Sequence, residues 1–417
     1  MNTQTVLSES ASPVTRAALT GVGALVIGGD HPGLAVARSL GRRGIPVYIL
    51  DDQRNISSFS RYARRVITVE DLRDERRTVD AVLEVGRKYN LRNWVLFPTR
   101  DENVAAFSRH RDELAAFFRV TTPAWETVRW AWDKKNTYEL AEELNIPCPK
   151  TFNPRSLEEL AALRSRLPLA MKPAVKENFF YATGAKAWRA NTFEQLEDVF
   201  KKASRQIAPE EILVQEIIPG DGGQYSYCAF VQDGQPHSVL IAERVRQHPH
   251  EFGRAATYVE TIDLPAIEEL SERFLKFINF SGLVEIEYKR DPRDRQYKLL
   301  DVNARTWGFH GIGAAAGVDF PYLLFAEHTG LPVEPSRSRP GVGWLRVLAD
   351  VPTAISDIAH GYTSVGSYLG SLSRTKVESV FSAKDPLPFL AEIGLLPYLI
   401  YKKYFLTQGR KESSKEG

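Results

Sequence analysis

The stretch GLVEIEYKRDPRDRQYKLLDVNARTWG, from Gly282 to Gly308, reads as two extended segments around a tight turn. Glu285 and Glu287 alternate with Val284, Ile286 and Tyr288, a period of two that puts both acids on one face of a strand. Asp291-Pro292-Arg293-Asp294 supplies turn chemistry, and Tyr297 to Asn303 resumes an apolar extended run. A hairpin closed over that turn brings Glu287 close to Asp301 and Asn303, which point the same way. Two carboxylates and an amide oxygen form a hard, all-oxygen donor set suited to Mg²⁺ held together with phosphates. Glu285 has the competing claim to the first ligand position, and the spacing to Asp301 favours Glu287. Arg305 follows on the same side, within reach of a phosphoryl oxygen. The same alternation also suits a solvated hairpin edge whose charges discourage pairing.

At 417 residues the chain exceeds one ordinary core, so two or three domains are expected. Lys and Arg number 54 against 52 acids, and this near balance argues against a nucleic-acid binder. Two cysteines, Cys148 and Cys228, exclude a disulfide framework, lack companions at metal-ligand spacing and fit a reducing cytoplasm. The first 20 residues have no charged start leading into an apolar core, so no signal peptide is expected. No run of 18 apolar residues suggests a membrane span. The segment 387–406 comes nearest; it reads either as a helical hairpin packed on the body or as a peripheral membrane contact.

Residues 24–50 read strand, glycine-rich turn, helix, strand, the opening of a doubly wound domain. Gly28-Gly29-Asp30-His31-Pro32-Gly33 lacks the G-x-G-x-x-G order, which disfavours a dinucleotide-dependent oxidoreductase. Pro98, Thr99, Asp101 and Glu102 fall at a strand's carboxyl end, where open α/β sheets place ligands. Further on, AWDKKNTYELAEELNIPCP predicts a helix from near Ala131, LPLAMKPAV a strand carrying Lys172, and EEILVQEIIPG a strand ending in a Pro-Gly turn. Asp233-Gly234 marks a hairpin turn, and residues 267–280 carry apolar side chains at helical spacing.

Taken in order, Lys134, Lys172, Gln215-Glu216-Ile217-Ile218 and the E-x13-D-x-N-x-R hairpin resemble the signature of the ATP-grasp superfamily. Within it the chain looks most like carboxylate–amine ligases of the carbamoyl-phosphate synthase and D-aspartate ligase type. The resemblance spans about residues 20–330. It implies a mixed α/β and α+β ATP-grasp fold in four parts: a Rossmann-like preceding domain (20–125), a linker helix with a small lid subdomain (126–215), a large subdomain with the metal site (216–335), and a C-terminal helical extension with a disordered tail (336–417).

Matched residue by residue, the resemblance implies Lys134 and Lys172 on the phosphates of ATP and Gln215, Glu216, Ile217 and Ile218 around adenine. It implies Asp221 or Gln224 on the ribose, and Glu287, Asp301 and Asn303 on Mg²⁺ (or Mn²⁺). Lys172 and Arg305 would be the catalytic cations. The implied reaction joins a carboxylate to an amine, or another nucleophile, through an acyl phosphate, with release of ADP and phosphate. Small-molecule substrates, a cytoplasmic location and room for a homodimer belong to the same expectation. Arg244, Arg246, Arg254, Trp307 and His310 are the expected substrate contacts, since arginine forks suit carboxylates. The sequence departs from the family in the lid loop 177–188, with one glycine and four aromatics, and at Asp301, where glutamate is usual. A non-catalytic ATP-binding protein of the same fold is the alternative.

Overall fold

The computed structural model describes residues 21–175, 183, 185–220, 223–253 and 255–396. The chain opens with a parallel sheet of β1 (Ala24–Ile27), β2 (Val47–Asp51), β3 (Ala63–Thr68), β4 (Val95–Pro98) and β5 (Arg119–Val120), in the order β3-β2-β1-β4-β5. Strand β1 is buried along its whole length, as the apolar run ALVI demands of a central parallel strand. The chain leaves it through Gly28 at φ +99°, where a Cβ would meet the Thr99 hydroxyl at 2.2 Å. Pro32 then starts the helix His31–Gly41. The amide of Gly29 donates to Asp51 Oδ2 at 2.7 Å, and Arg100 neutralises Asp51 and Asp52 at 2.7 and 2.9 Å. The acidic tip of β2 therefore engages protein groups on both sides.

A small antiparallel sheet follows, built from β6 (Thr151–Phe152), β7 (Leu169–Pro173), β8 (Trp188–Ala190) and β9 (Ile212–Glu216), in the order β6-β9-β7-β8. Its helix, Phe193–Ala203, begins with a capping box between Thr192 and Gln195. Its core is self-contained, with Leu169, Met171, Leu196 and Val214 among its members.

The largest sheet contains β10 (Gln224–Gln232), β11 (Gln235–His248), β12 (Ala255–Ile262), β13 (Gly282–Arg290), β14 (Tyr297–Asn303), β15 (Ser336–Arg337), β16 (Gly343–Leu345) and β17 (Thr375–Glu378). Its path is β14-β13-β10-β11-β12-β16-β17, with β15 added beside β11. Both faces are covered, which explains the continuous apolar run in β10. Tyr227, Ala229 and Val231 pack with Ile267 and Phe274 of the helix Pro265–Phe277. Cys228 and Phe230 join the opposite core. That second core contains Phe320 and Phe325 of the helix Phe320–Thr329 and also Val36, Ala37 and Leu40 of His31–Gly41. The first domain is thus fused to the large sheet through shared apolar packing.

The chain end returns to this body. Arg38 bonds Asp385 Oδ2 at 3.0 Å and the carbonyls of Val380 and Asp385 at 2.7 and 2.9 Å. Phe381 packs edge-on against Phe389 at 5.5 Å. Residues 387–396 form a final described helix.

Candidate active site

The Gly282–Gly308 hairpin forms with the predicted register. Glu287 lies opposite Asp301 and Glu285 opposite Asn303, with a bulge between Glu287 and Tyr288. Both glutamates are buried on a face shared with Ser226 of β10, whose hydroxyl donates to Glu285 at 2.9 Å. From β11, two strands away from β13, Arg244 reaches across. Its Nη2 lies 2.7 Å from both Glu285 Oε1 and Glu287 Oε1. Asn303 completes the group, donating to Glu285 at 3.2 Å and Glu287 at 3.1 Å while its Oδ1 accepts from Arg305 at 3.2 Å.

One guanidinium serving two carboxylates splits their chemistry. Burial raises the Glu285 pKa, and the neighbouring charge of Glu287 adds to that rise against Arg244. Burial also opposes ionisation of Glu287, but Arg244, Lys186 and Lys134 outweigh it and hold that carboxyl well down. Glu287 is the member of the pair that lines the open cleft, together with Asp301.

The cleft, of about 1220 Å³, separates the small sheet from the large one. Lys134 enters it from the first turn of the helix Lys134–Glu143, whose N-cap Asp133 accepts from Lys135 N, and its ammonium pairs with Asp301. Lys172 enters from β7, donating to the Tyr138 hydroxyl at 2.5 Å, while that hydroxyl donates to Leu300 O at 2.7 Å. Burial, and then the charge of Lys134, bring the Lys172 ammonium down to about 7. Gln215, Glu216, Ile217 and Ile218 form the cleft's edge where β9 leaves the small sheet. The Glu216 carboxylate accepts from Lys150 N, Arg293 and Lys298, and Lys289 donates to Ile218 O at 3.1 Å. These contacts fix the backbone of the strap between the sheets. Gln224 also lines the cleft, 3.3 Å from Glu287 Oε2. In the lid loop, Lys186 lines the cleft and donates to Gly253 O at 3.0 Å.

Not every expected residue arrives there. Arg305 is bonded to Asp101 at 2.5 and 2.8 Å and lies outside the cleft lining. Arg246 lines the cleft, but its guanidinium makes a buried two-point pair with Asp350, at 2.9 Å for each bond. His310 requires correction as a substrate contact. It is 1% exposed, with Nδ1 2.7 Å from Trp307 O, and burial lowers its pKa to about 4. Trp307 is likewise a core residue, in edge contact with Phe320. Aromatic residues beside a polar motif belong to the core here because the segment after β14 turns under the sheet. Asp221 and Arg254 lie outside the described residues, as does most of the lid loop. The sequence reading missed Tyr138, which orients Lys172, and Ser226, which supports Glu285. Tyr138 had a signal in its position one helical turn after Lys134.

No family model matches the chain. Among curated relatives, a D-aspartate ligase of Enterococcus faecium is 26% identical over 227 residues, covering 51% of this chain and 53% of that protein. A carbamoyl phosphate synthase large chain of Thermoanaerobacter is 25% identical over 197 residues, covering 45% of this chain and 17% of its own length. The chain therefore spans about half of the first relative and a small part of the second. Among solved structures, the biotin carboxylase domain of Hydrogenobacter thermophilus 2-oxoglutarate carboxylase, a dimer complexed with MgADP and bicarbonate, aligns with a TM-score of 0.62 at 13% identity. That alignment covers 77% of this chain and 73% of the other. An L-amino acid ligase of Bacillus licheniformis aligns with a TM-score of 0.59 at 15% identity, over 77% and 78% of the two chains.

The chain has the ATP-grasp fold. Within that fold the cleft lies between the two ATP-grasp sheets, and the strap at 215–218 joins them. Among the described residues no group of three or more His, Cys, Asp and Glu side chains is arranged to hold a metal. Glu287 and Asp301 both line the cleft, a hard-oxygen pair whose chemistry fits a divalent ion sharing its coordination with phosphate, whereas Asn303 turns its amide NH2 to Glu287 and its Oδ1 to Arg305. In the structure described here, Arg244 and Lys134 balance the two carboxylates.

Proposed function

We propose that the protein is an ATP-dependent, ADP-forming ligase that joins a carboxylate to an amine, or to another small nucleophile, through an acyl phosphate. The observation carrying this reading is the convergence in one cleft of Lys134, Lys172, Glu287 and Asp301 beside the strap at Gln215–Ile218. The similarity to a D-aspartate ligase supports the reaction class. Adenine would rest on the strap, where the Glu216 amide donates to Lys150 O and the Ile218 carbonyl accepts from Lys289. Lys134, Lys172 and Lys186 would face the triphosphate, whose negative charge exceeds what one divalent ion offsets. Glu287, Asp301 and Asn303 would hold Mg²⁺, or Mn²⁺, which when bound neutralises charge on the transferring phosphoryl group.

In this reading the acid's carboxylate oxygen attacks the γ-phosphorus of ATP, forming an acyl phosphate as the bond to ADP breaks. The amine then attacks the acyl carbon, and phosphate leaves with the bonding electrons. The side chains described above orient the reactants and offset charge; the chemistry requires no protein nucleophile. Lys172 would be held fully charged by the arriving phosphates, because burial brings its ammonium down to about 7 only while they are absent. Arg305 would act by fixing the Asn303 amide. The same reading divides the chain into the four parts given above, places it in the cytoplasm and allows two copies to assemble.

The test incubates the purified protein with MgATP and pooled carboxylates and amines and follows nucleotide and phosphate. ADP and phosphate release that depends on both pools is expected. AMP formation would replace the acyl-phosphate route with adenylation. Tight nucleotide binding without turnover across the pools would favour a non-catalytic ATP-binding protein.

A further inference from the structure

The helix Val347–Ala359 faces inward with Asp350, Thr353, Ala354 and Asp357 and turns the aliphatic Val351 and Ile355 to water. Asp350 explains that choice of face, because its two-point pair with Arg246 clamps the helix onto β11. Two helical turns further along, about 10 Å away, Asp357 lacks such a pair. Its side chain is only 8% exposed. Among the described residues it has only the His250 imidazole nearby, with Nδ1 3.8 Å from Asp357 Oδ1, beyond hydrogen-bond reach. Burial raises the Asp357 pKa against the pull of His250 and Arg246, and the charge of Arg246 is already taken up by Asp350. The last turn of a helix is also the negative end of its macrodipole, which adds to the cost of a carboxylate there. Stability alone favours a neutral residue at this position.

Asp357 lines a chamber of about 170 Å³ between the end of β11 and the end of this helix. His250 and Tyr362 line both the chamber and the large cleft, so the two spaces adjoin at these rings. The Tyr362 ring lies parallel to two imidazoles, 3.9 Å from His250 and 5.9 Å from His360, and supplies an aromatic face. His360 Nδ1 is 2.8 Å from Ser356 O; a carbonyl only accepts, so the neutral ring carries its proton on Nδ1 and leaves Nε2 an acceptor. Thr353 Oγ1 donates to Ala349 O and keeps acceptor lone pairs. Among the described residues the lining has no lysine or arginine. Acceptors, an aromatic face and an undercompensated carboxylate match the needs of an ammonium group. The same carboxylate repels an anion. Among the described residues these imidazoles and Asp357 are not arranged to hold a metal ion, which leaves an organic cation.

We propose that this chamber binds an ammonium group of the substrate with Asp357 as its counter-ion, so that one of the molecules joined carries a terminal alkylammonium, as a diamine or a basic amino acid does. The ammonium held at Asp357 leaves the rest of the molecule to pass His250 and Tyr362 into the cleft that Arg244 and Glu287 line. That the bound molecule is a substrate rests on the ligase reading; the preference of the chamber for a cation does not.

The test titrates the full chain by calorimetry, with MgADP present, using two matched pairs: L-lysine against L-norleucine, and 1,4-diaminobutane against butylamine. The members of each pair differ by one ammonium group. In at least one pair the member with the extra ammonium is expected to bind about tenfold tighter, and which pair shows it separates an amino acid from a diamine. Asp357→Asn should erase that difference while ADP affinity and melting temperature are kept. If that variant fails to fold, Tyr362→Leu carries the test at an exposed ring, with the preference reduced about threefold. Equal or absent binding within both pairs, or a preference that survives Asp357→Asn, would overturn the proposal. Calorimetry requires no turnover: a preference without turnover would sink only the ligase reading, and turnover without a preference only this assignment.

Discussion

Arg244 and Arg246 stand two residues apart on one strand, are both buried, and do opposite things. Arg246 meets one carboxylate, Asp350, in a two-point pair whose charges cancel. Arg244 meets two, Glu285 and Glu287, so one guanidinium is shared between two carboxylates, the second of which also feels Lys186 and Lys134 across the cleft. A bulge between them in the pairing of β11 with β12 lets both guanidinium groups find acids in different directions. A balanced buried pair fixes neighbouring elements and asks for nothing more. An unbalanced one retains donors for a cation from outside, which is how a structural arginine and a candidate site differ although their chemistry is the same.

Breaking the balanced pair should have the largest effect. Arg246→Ala leaves Asp350 buried without a partner and is expected to cost about 3–5 kcal/mol of stability in denaturant melts. An equal loss of stability in Arg244→Ala would erase the distinction. Next comes Glu287→Gln, which keeps shape and removes charge from the cleft. Metal-dependent turnover should fall about a hundredfold, or about 2.7 kcal/mol, with little change in melting temperature. Asp301→Asn should behave in the same way, and unimpaired turnover in either variant would remove that residue from the site.

Lys172 sharpens the contrast through pH. Its folded-state pKa, about 7, lies below the ordinary lysine value, so the unfolded chain binds more protons between these values. Its contribution therefore makes stability rise as pH climbs from about 7 towards the ordinary value. Nucleotide binding has the opposite slope, because phosphate favours the protonated ammonium. Affinity should fall about tenfold per pH unit above 7, with proton uptake visible by calorimetry in buffers of different ionisation heat. A flat profile in Lys172→Arg and a sloping one in the wild type would assign the effect to this residue. The smallest expected effect is Ser226→Ala, about 1 kcal/mol, from removal of the hydroxyl that supports Glu285.

Much of this was legible because it is local. The alternation of Glu285 and Glu287, the turn at Asp291 and the pair Asp301 and Asn303 are set within one hairpin, so the period of two was sufficient to predict which groups meet. The opening βαβ unit was legible for the same reason. Arg244's role depends on a strand two places away and on a bulge that no local pattern announces. His310 sits near the motif in sequence, yet the chain turns beneath the sheet before reaching it. The helix at 347–359 resisted reading because its apolar periodicity predicts the wrong buried face: ion pairing of Asp350 outweighs the usual preference.

The return of the chain end to Arg38 has a mechanical consequence. The first parallel sheet, the large sheet and the segment at 380–385 are clasped through shared packing and through Arg38 with Asp385, forming a single anvil. The small sheet has its own core and borders the anvil across a water-accessible seam. Any rocking of that sheet pivots on the two places where the chain enters and leaves it, before Thr151 and after Glu216, and so changes the distance between Lys172 and the carboxylates opposite.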